Sequence, residues 1–236
     1  MKRLLLLSNS TNFGEPFLQY PLRIIRDFLG SGIHKALFVP YAAVSTSYDD
    51  YAARVGERFG EIGCSVASIH EAGNPVFALE EAEAVVIGGG NTFQLLTQLY
   101  AHELVAPLTD RVLKGLPYIG WSAGANVACP TIRTTNDMPI VQPPSLQALS
   151  LIPFQINPHY TDSILPNHQG ETRAERLLEF VHLNPGVRVL GLREGSVLKI
   201  EGSSMQLLGD KSVRIFEKNA TPQEYPPHAS LNFLLG

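Results

Sequence analysis

The sequence holds only two cysteines, Cys64 and Cys129, in 236 residues. A disulfide framework is therefore excluded, and the pair is not spaced as metal ligands are. Each is expected to be a buried, small apolar residue. Basic charge is also scarce: 18 Lys and Arg face 22 Asp and Glu, for a formal net charge of −4. Without local basic runs, the basic face that nucleic-acid binding requires is missing. Long apolar runs are lacking too. The opening "MKRLLLLSNS" starts like a secretory signal, but its four leucines end at Ser8, where a signal needs about 7–15 apolar residues. It reads as a first buried strand. No segment reaches the ~20 apolar residues of a membrane helix. The expectation is a cytoplasmic protein with neither nucleic-acid nor membrane partner.

What is present is globular. Hydrophobic residues make up 44% and charged residues 17%, enough for one large core. Apolar runs at 3–8, 35–40, 65–70, 83–89, 116–121, 154–157 and 187–192 read as strands. Several are continuous rather than alternating, which suits parallel strands covered on both faces. Helical patterns lie between them at 18–30, 49–63, 92–104 and 171–183. Asp49 or Asp50 is expected to cap the second helix and Asn91 the third. Such alternation predicts right-handed crossovers and an α/β fold, a doubly wound, mostly parallel sheet with helices on both faces. After residue 195 the short runs "SVLKIEG", "SMQLLG" and "SVRIFEK" predict a C-terminal antiparallel meander. The proline-containing tail at 221–230 reads as irregular, and 1–236 as one domain.

One pentapeptide carries chemistry. "GWSAG" (120–124) satisfies G-x-S-x-G, with an apolar strand before it and the small-residue stretch "AGANVAC" after it. That is the setting of a nucleophile elbow, in which a strained turn lifts the serine above the sheet edge. Gly120 and Gly124 would let strand and helix approach closely. The backbone N–H of Ala123 would face a developing oxyanion. Ser122 is thus a candidate nucleophile.

A nucleophilic serine needs a base. His34, His102, His182 and His228 fall in helical or surface-like contexts, and His70 ends a strand. His159, in "FQINPHYTD", follows a strand and a stiffening proline, and ligands of open α/β sheets bind at strand C-terminal ends. His168, in the same loop region, is the alternative. For the group that orients the histidine, Glu194 directly follows an apolar strand, Asp137 lies in a polar loop after the serine, and Asp162 sits close to His159. Chain order departs from the α/β-hydrolase pattern of serine, acid, then histidine. A different fold sharing the elbow is expected.

The blocks "LLLSNST", "VIGGGNTFQLL", "YIGWSAGAN", "PTIRTTNDMPIV", "QINPHY", "GETRAER" and "GLREG" together resemble peptidase E, the α-aspartyl dipeptidase family of serine peptidases. The resemblance runs through nearly the whole chain and fades after about residue 215. It implies a fold similar to class I glutamine amidotransferases, which carry cysteine at the elbow. It also implies Ser122 as nucleophile and His159 as base, with Glu194 as third member and Asp137 as the other acid proposed for that role. Gly90 of the "GGGNT" loop would be the second oxyanion donor opposite Ala123. Arg173 of "GETR" would read the aspartate side chain of the substrate, with Arg133 a second candidate and Asn91 a further substrate contact. The implied reaction cleaves dipeptides with an N-terminal aspartate through an acyl-enzyme. It uses no metal and no cofactor, and the implied assembly is a homodimer. Two other readings stand beside it: a cyanophycinase-like hydrolase of aspartyl linkages, and a nonenzymatic binding protein on the same scaffold.

Overall fold

The computed structural model describes residues 1–163 and 169–236. Strand β1 (Arg3–Leu7) leads into helix α1 (Leu22–Leu29). Alternation continues through β2 (Lys35–Val39), α2 (Tyr48–Gly60), β3 (Ser65–Ser68), α3 (Pro75–Glu80) and β4 (Val85–Ile87). Helices α4 (Thr92–Ala101) and α5 (Val105–Leu113) precede β5 (Tyr118–Trp121) and the short α6 (Ala123–Asn126). Then come β6 (Gln155–Tyr160), α7 (Arg173–Leu183) and β7 (Val189–Arg193). The chain closes through β8 (Val197–Glu201), β9 (Ser204–Leu208), β10 (Val213–Phe216) and β11 (Gln223–Tyr225).

The large sheet has the order β3-β2-β4-β5-β1-β8-β9. Its first five strands pair in parallel, while β8 and β9 run antiparallel at one side. Period-two alternation inside the apolar runs explains why both faces are covered. Leu4, Leu6, Val85 and Ile87 enter one core with Leu95 and Leu99 of α4 and Leu108 and Val112 of α5. Leu5, Leu7, Val86 and Ile119 enter the opposite core with Ile25 and Phe28 of α1 and Val55 and Phe59 of α2. A strand that is hydrophobic at every position therefore serves two helical layers at once.

Four details depart from the sequence expectation. Strands β6 and β7 leave the large sheet and form a second one, ordered β11-β10-β7-β6, in which they alone are parallel. The C-terminal meander consequently divides: β8 and β9 extend the large sheet, and β10 joins the small one. The tail contributes β11 at its edge, just ahead of Pro226 and Pro227, where a missing donor is tolerated. Helices α3 and α5 add to the expected set; Pro75 and Pro107 fall in their first turns, where a lost N–H goes unmissed. The core of α4 and α5 continues into the small sheet through Ile156, Leu190 and Ile215.

Helix α2 is capped by Ser47, whose Oγ accepts the Asp50 N–H at 3.0 Å, rather than by either aspartate. Asn91 caps α4 as expected, accepting from the Gln94 N–H. Both cysteines are buried and free. Among the described residues, no helix is long and apolar enough to cross a membrane.

Candidate active site

Strand β5 sits between β4 and β1, so the turn after Trp121 emerges at the C-terminal edge of the parallel sheet. Ser122 occupies that turn with φ 53° and ψ −111°, a backbone strain of about 1–3 kcal/mol for a residue with a side chain. Its N–H donates to the Leu7 carbonyl, and its own carbonyl receives the Ala125 and Asn126 N–H groups. The flanking glycines are sterically required. A Cβ on Gly120 would collide with the Gly124 carbonyl, and one on Gly124 with that of Ile87. The pattern G-x-S-x-G thus reflects how closely α6 crosses β4 and β5.

The small sheet delivers His159. Strand β6 loses its register with β7 between Asn157 and Tyr160, around Pro158 and His159. His159 also takes a positive φ of 54°, and its N–H donates to Ser8 Oγ, which in turn donates to the Leu192 carbonyl. These bonds swing the imidazole over the elbow. His159 Nε2 lies 2.9 Å from Ser122 Oγ, and Nδ1 lies 2.6 Å from Glu194 Oε1. A carboxylate at Nδ1 keeps the proton there, leaving Nε2 free to accept from the serine hydroxyl. Glu194 follows β7, and Asn126 Nδ2 ties α6 to the Ile156 carbonyl of β6, so both sheets are anchored to one elbow.

Two backbone N–H groups near the elbow are left without a partner among the described residues. Gly90 has φ 141°, and a Cβ there would strike the Ala42 carbonyl. The N–H groups beside it are occupied, Gly89 by Tyr51 Oη at 2.9 Å and Asn91 by the Ala42 carbonyl. Gly90 N–H and Ala123 N–H have no hydrogen-bond partner among the described residues. A cavity of about 610 Å³ opens over Ser122, His159, Glu194, Gly90 and Asn91, well within the size of small-ligand sites.

Asp137 is engaged elsewhere. Its Oδ2 accepts from the N–H and hydroxyl of Thr92, at 2.7 and 2.5 Å, and from Thr135 Oγ1. It serves the N-terminus of α4 rather than His159. Asn91 lines the cavity, but its amide is spent on capping α4 and on the Met138 carbonyl. Arg133 lies over the Phe180 ring, 5.1 Å from its centroid, and Arg173 opens α7; neither lines the cavity. Burial and the neighbouring Arg176 lower the Arg173 pKa, and its Nη1 has no partner among the described residues. His168 lies outside the described residues. Arg54 and Tyr51, both cavity-lining, escape sequence reading, because α2 presents no motif around them.

Residues 4–208 match the family model for peptidase family S51. The chain is 52% identical over 234 residues to peptidase E of Nostoc sp., covering 99% of this chain and 97% of that one. Peptidase E of Streptomyces coelicolor is 49% identical, with 98% and 94% covered. The fold is similar to the crystal structure of a peptidase from an acI-B1 Actinobacterium, with a TM-score of 0.72 at 18% identity, covering 98% of this chain and 96% of that one.

Proposed function

The chain belongs to peptidase family S51 and is a serine peptidase; from that premise we propose that it cleaves dipeptides Asp-Xaa through an acyl-enzyme on Ser122. The observation that carries the reading is the relay from Ser122 Oγ through His159 to Glu194, with the Gly90 and Ala123 N–H groups unpaired among the described residues. Ser122 Oγ attacks the aspartyl carbonyl as its proton passes to His159 Nε2, and Glu194 holds the imidazolium that forms. The carbonyl oxygen gains its charge between Gly90 N–H and Ala123 N–H. His159 then protonates the departing amine. A water, deprotonated by His159, finally releases aspartate from the ester.

The sequence resemblance assigns recognition of the aspartate side chain to Arg173, although that residue does not line the cavity over Ser122. The curated relatives that bear the name peptidase E support the substrate class. We place the enzyme in the cytoplasm, where the free Cys64 and Cys129 stay reduced. Hydrolysis of an aspartyl anilide against glutamyl, asparaginyl and leucyl analogues tests the proposal. Cleavage strongly favouring aspartate is expected, with Ser122→Ala slower by roughly 10⁴-fold or more. Full activity in that variant, or cleavage of aspartyl polymer alone, would overturn it.

A further inference from the structure

A dipeptide with an N-terminal aspartate carries two carboxylates, one on the side chain and one at the C-terminus. The cavity already contains one anion, Glu194, and that carboxylate is turned to His159. The dipeptide's ammonium offsets only one of these charges, so without a protein cation the bound substrate would be left with an uncompensated carboxylate on desolvation. Among the described residues lining the cavity, Arg54 is the only lysine or arginine.

Arg54 differs from most arginines of the chain. Arg3, Arg23, Arg26, Arg58, Arg188 and Arg193 each stand within ion-pair distance of a carboxylate. Arg54 pairs with none among the described residues and donates no side-chain hydrogen bond to them. It is nevertheless held in place. Its guanidinium carbon lies 4.6 Å from the centroid of the Phe17 ring. Phe17 in turn meets the rings of Tyr51 and Trp121 edge-on, at 6.4 and 6.2 Å. Trp121 is the residue before Ser122, and Tyr51, one turn before Arg54 on α2, bonds the Gly89 N–H beside Gly90. A stacked guanidinium keeps its in-plane N–H edge open for a two-point bond to a carboxylate.

We propose that Arg54 receives a carboxylate of the dipeptide and is a specificity-determining residue of the cavity. The inference rests on the serine dipeptidase reading above. It assigns the substrate contact to the one cation that the described lining of the cavity offers.

The test measures kcat and KM of wild type, Arg54→Met and Arg54→Lys on Asp-Leu, Asn-Leu and Asp-Leu amide. Arg54→Met should lose about 10- to 100-fold in kcat/KM on Asp-Leu, mostly through KM, and the lysine variant should recover part of it. The loss should shrink to near unity on one analogue only. Shrinkage on Asn-Leu assigns Arg54 to the side-chain carboxylate, and shrinkage on the amide assigns it to the C-terminal one. An Arg54→Met enzyme within twofold of wild type on Asp-Leu, or one impaired equally on all three substrates, overturns the proposal. Ser122→Ala, run alongside, separates the two levels: retained hydrolysis there removes the serine reading itself, whatever Arg54 does.

Discussion

Glu194 and Asp137 offer the same carboxylate chemistry to different partners, and their variants should part accordingly. Glu194 holds His159 Nδ1, so Glu194→Gln should lower kcat by about 100-fold or more while leaving the fold intact. Asp137 satisfies the first N–H of α4, so Asp137→Ala should cost about 0.5–2 kcal/mol of stability and far less turnover. Paired kinetic and thermal-melt measurements check both. The reverse pattern, with turnover lost on the Asp137 side, would reassign the orienting acid. Sequence position favours Glu194, which directly follows an apolar strand, but leaves Asp137 in its polar loop as a second candidate. Only the third dimension shows which carboxyl reaches the imidazole.

The elements differ in how legible they are in the sequence. Strand β1 is legible because four successive leucines have no helical stripe and must face two layers. The elbow is legible because close contact between α6 and the sheet admits only glycine at 120 and 124. The division into two sheets is not, because it depends on register: β6 and β7 have the same apolar texture as strands of the large sheet. Ser47 escapes as the α2 cap because Asp49 and Asp50 are equally good cap residues two and three positions later. Helix α2 is readable as an element, but not as a wall of the cavity. Tyr51 Oη accepts from both Gly89 N–H and Trp121 Nε1 at 2.9 Å, bridging the Gly90 loop to the elbow. Burial, partly offset by these bonds, raises the Tyr51 pKa to about 12, so the phenol stays protonated in neutral solution. Tyr51→Phe should therefore lower kcat by about tenfold or more with little change in KM. An unchanged kcat would show that the bridge does not position the donor.

Across the whole molecule, the small sheet must hold His159 and Glu194 over a serine that belongs to the large one. An ion cluster beside them does part of this. Arg193, next to Glu194, donates to Asp162 and Glu224, and Arg214 joins both carboxylates. Tyr160, next to His159, donates to Asp162 Oδ1 at 2.9 Å, and Arg193 lies over its ring. Burial opposes ionisation of Asp162 and Glu224, but the bonds from Arg193 and its neighbours outweigh it and hold both pKa values below the ordinary carboxylate range. Groups depressed in the fold stabilise it fully above their unfolded pKa, about 4, and cease to do so as pH falls through the folded value. Melting temperature should thus drop on acidification below about pH 4, and Arg193→Met should flatten that acid limb. An acid limb unchanged in Arg193→Met would show that this cluster does not clamp the small sheet.

Everything proposed for the site depends on Ser122, activated by His159, forming a covalent intermediate. Intact-mass measurement and peptide mapping after treatment with a fluorophosphonate address that step without any assumption about substrate. One adduct per chain, located on Ser122, lost in Ser122→Ala and much slowed in His159→Ala, is expected. A chain that hydrolyses aspartyl dipeptides yet takes no label, or takes it at another residue, would refute the covalent serine mechanism.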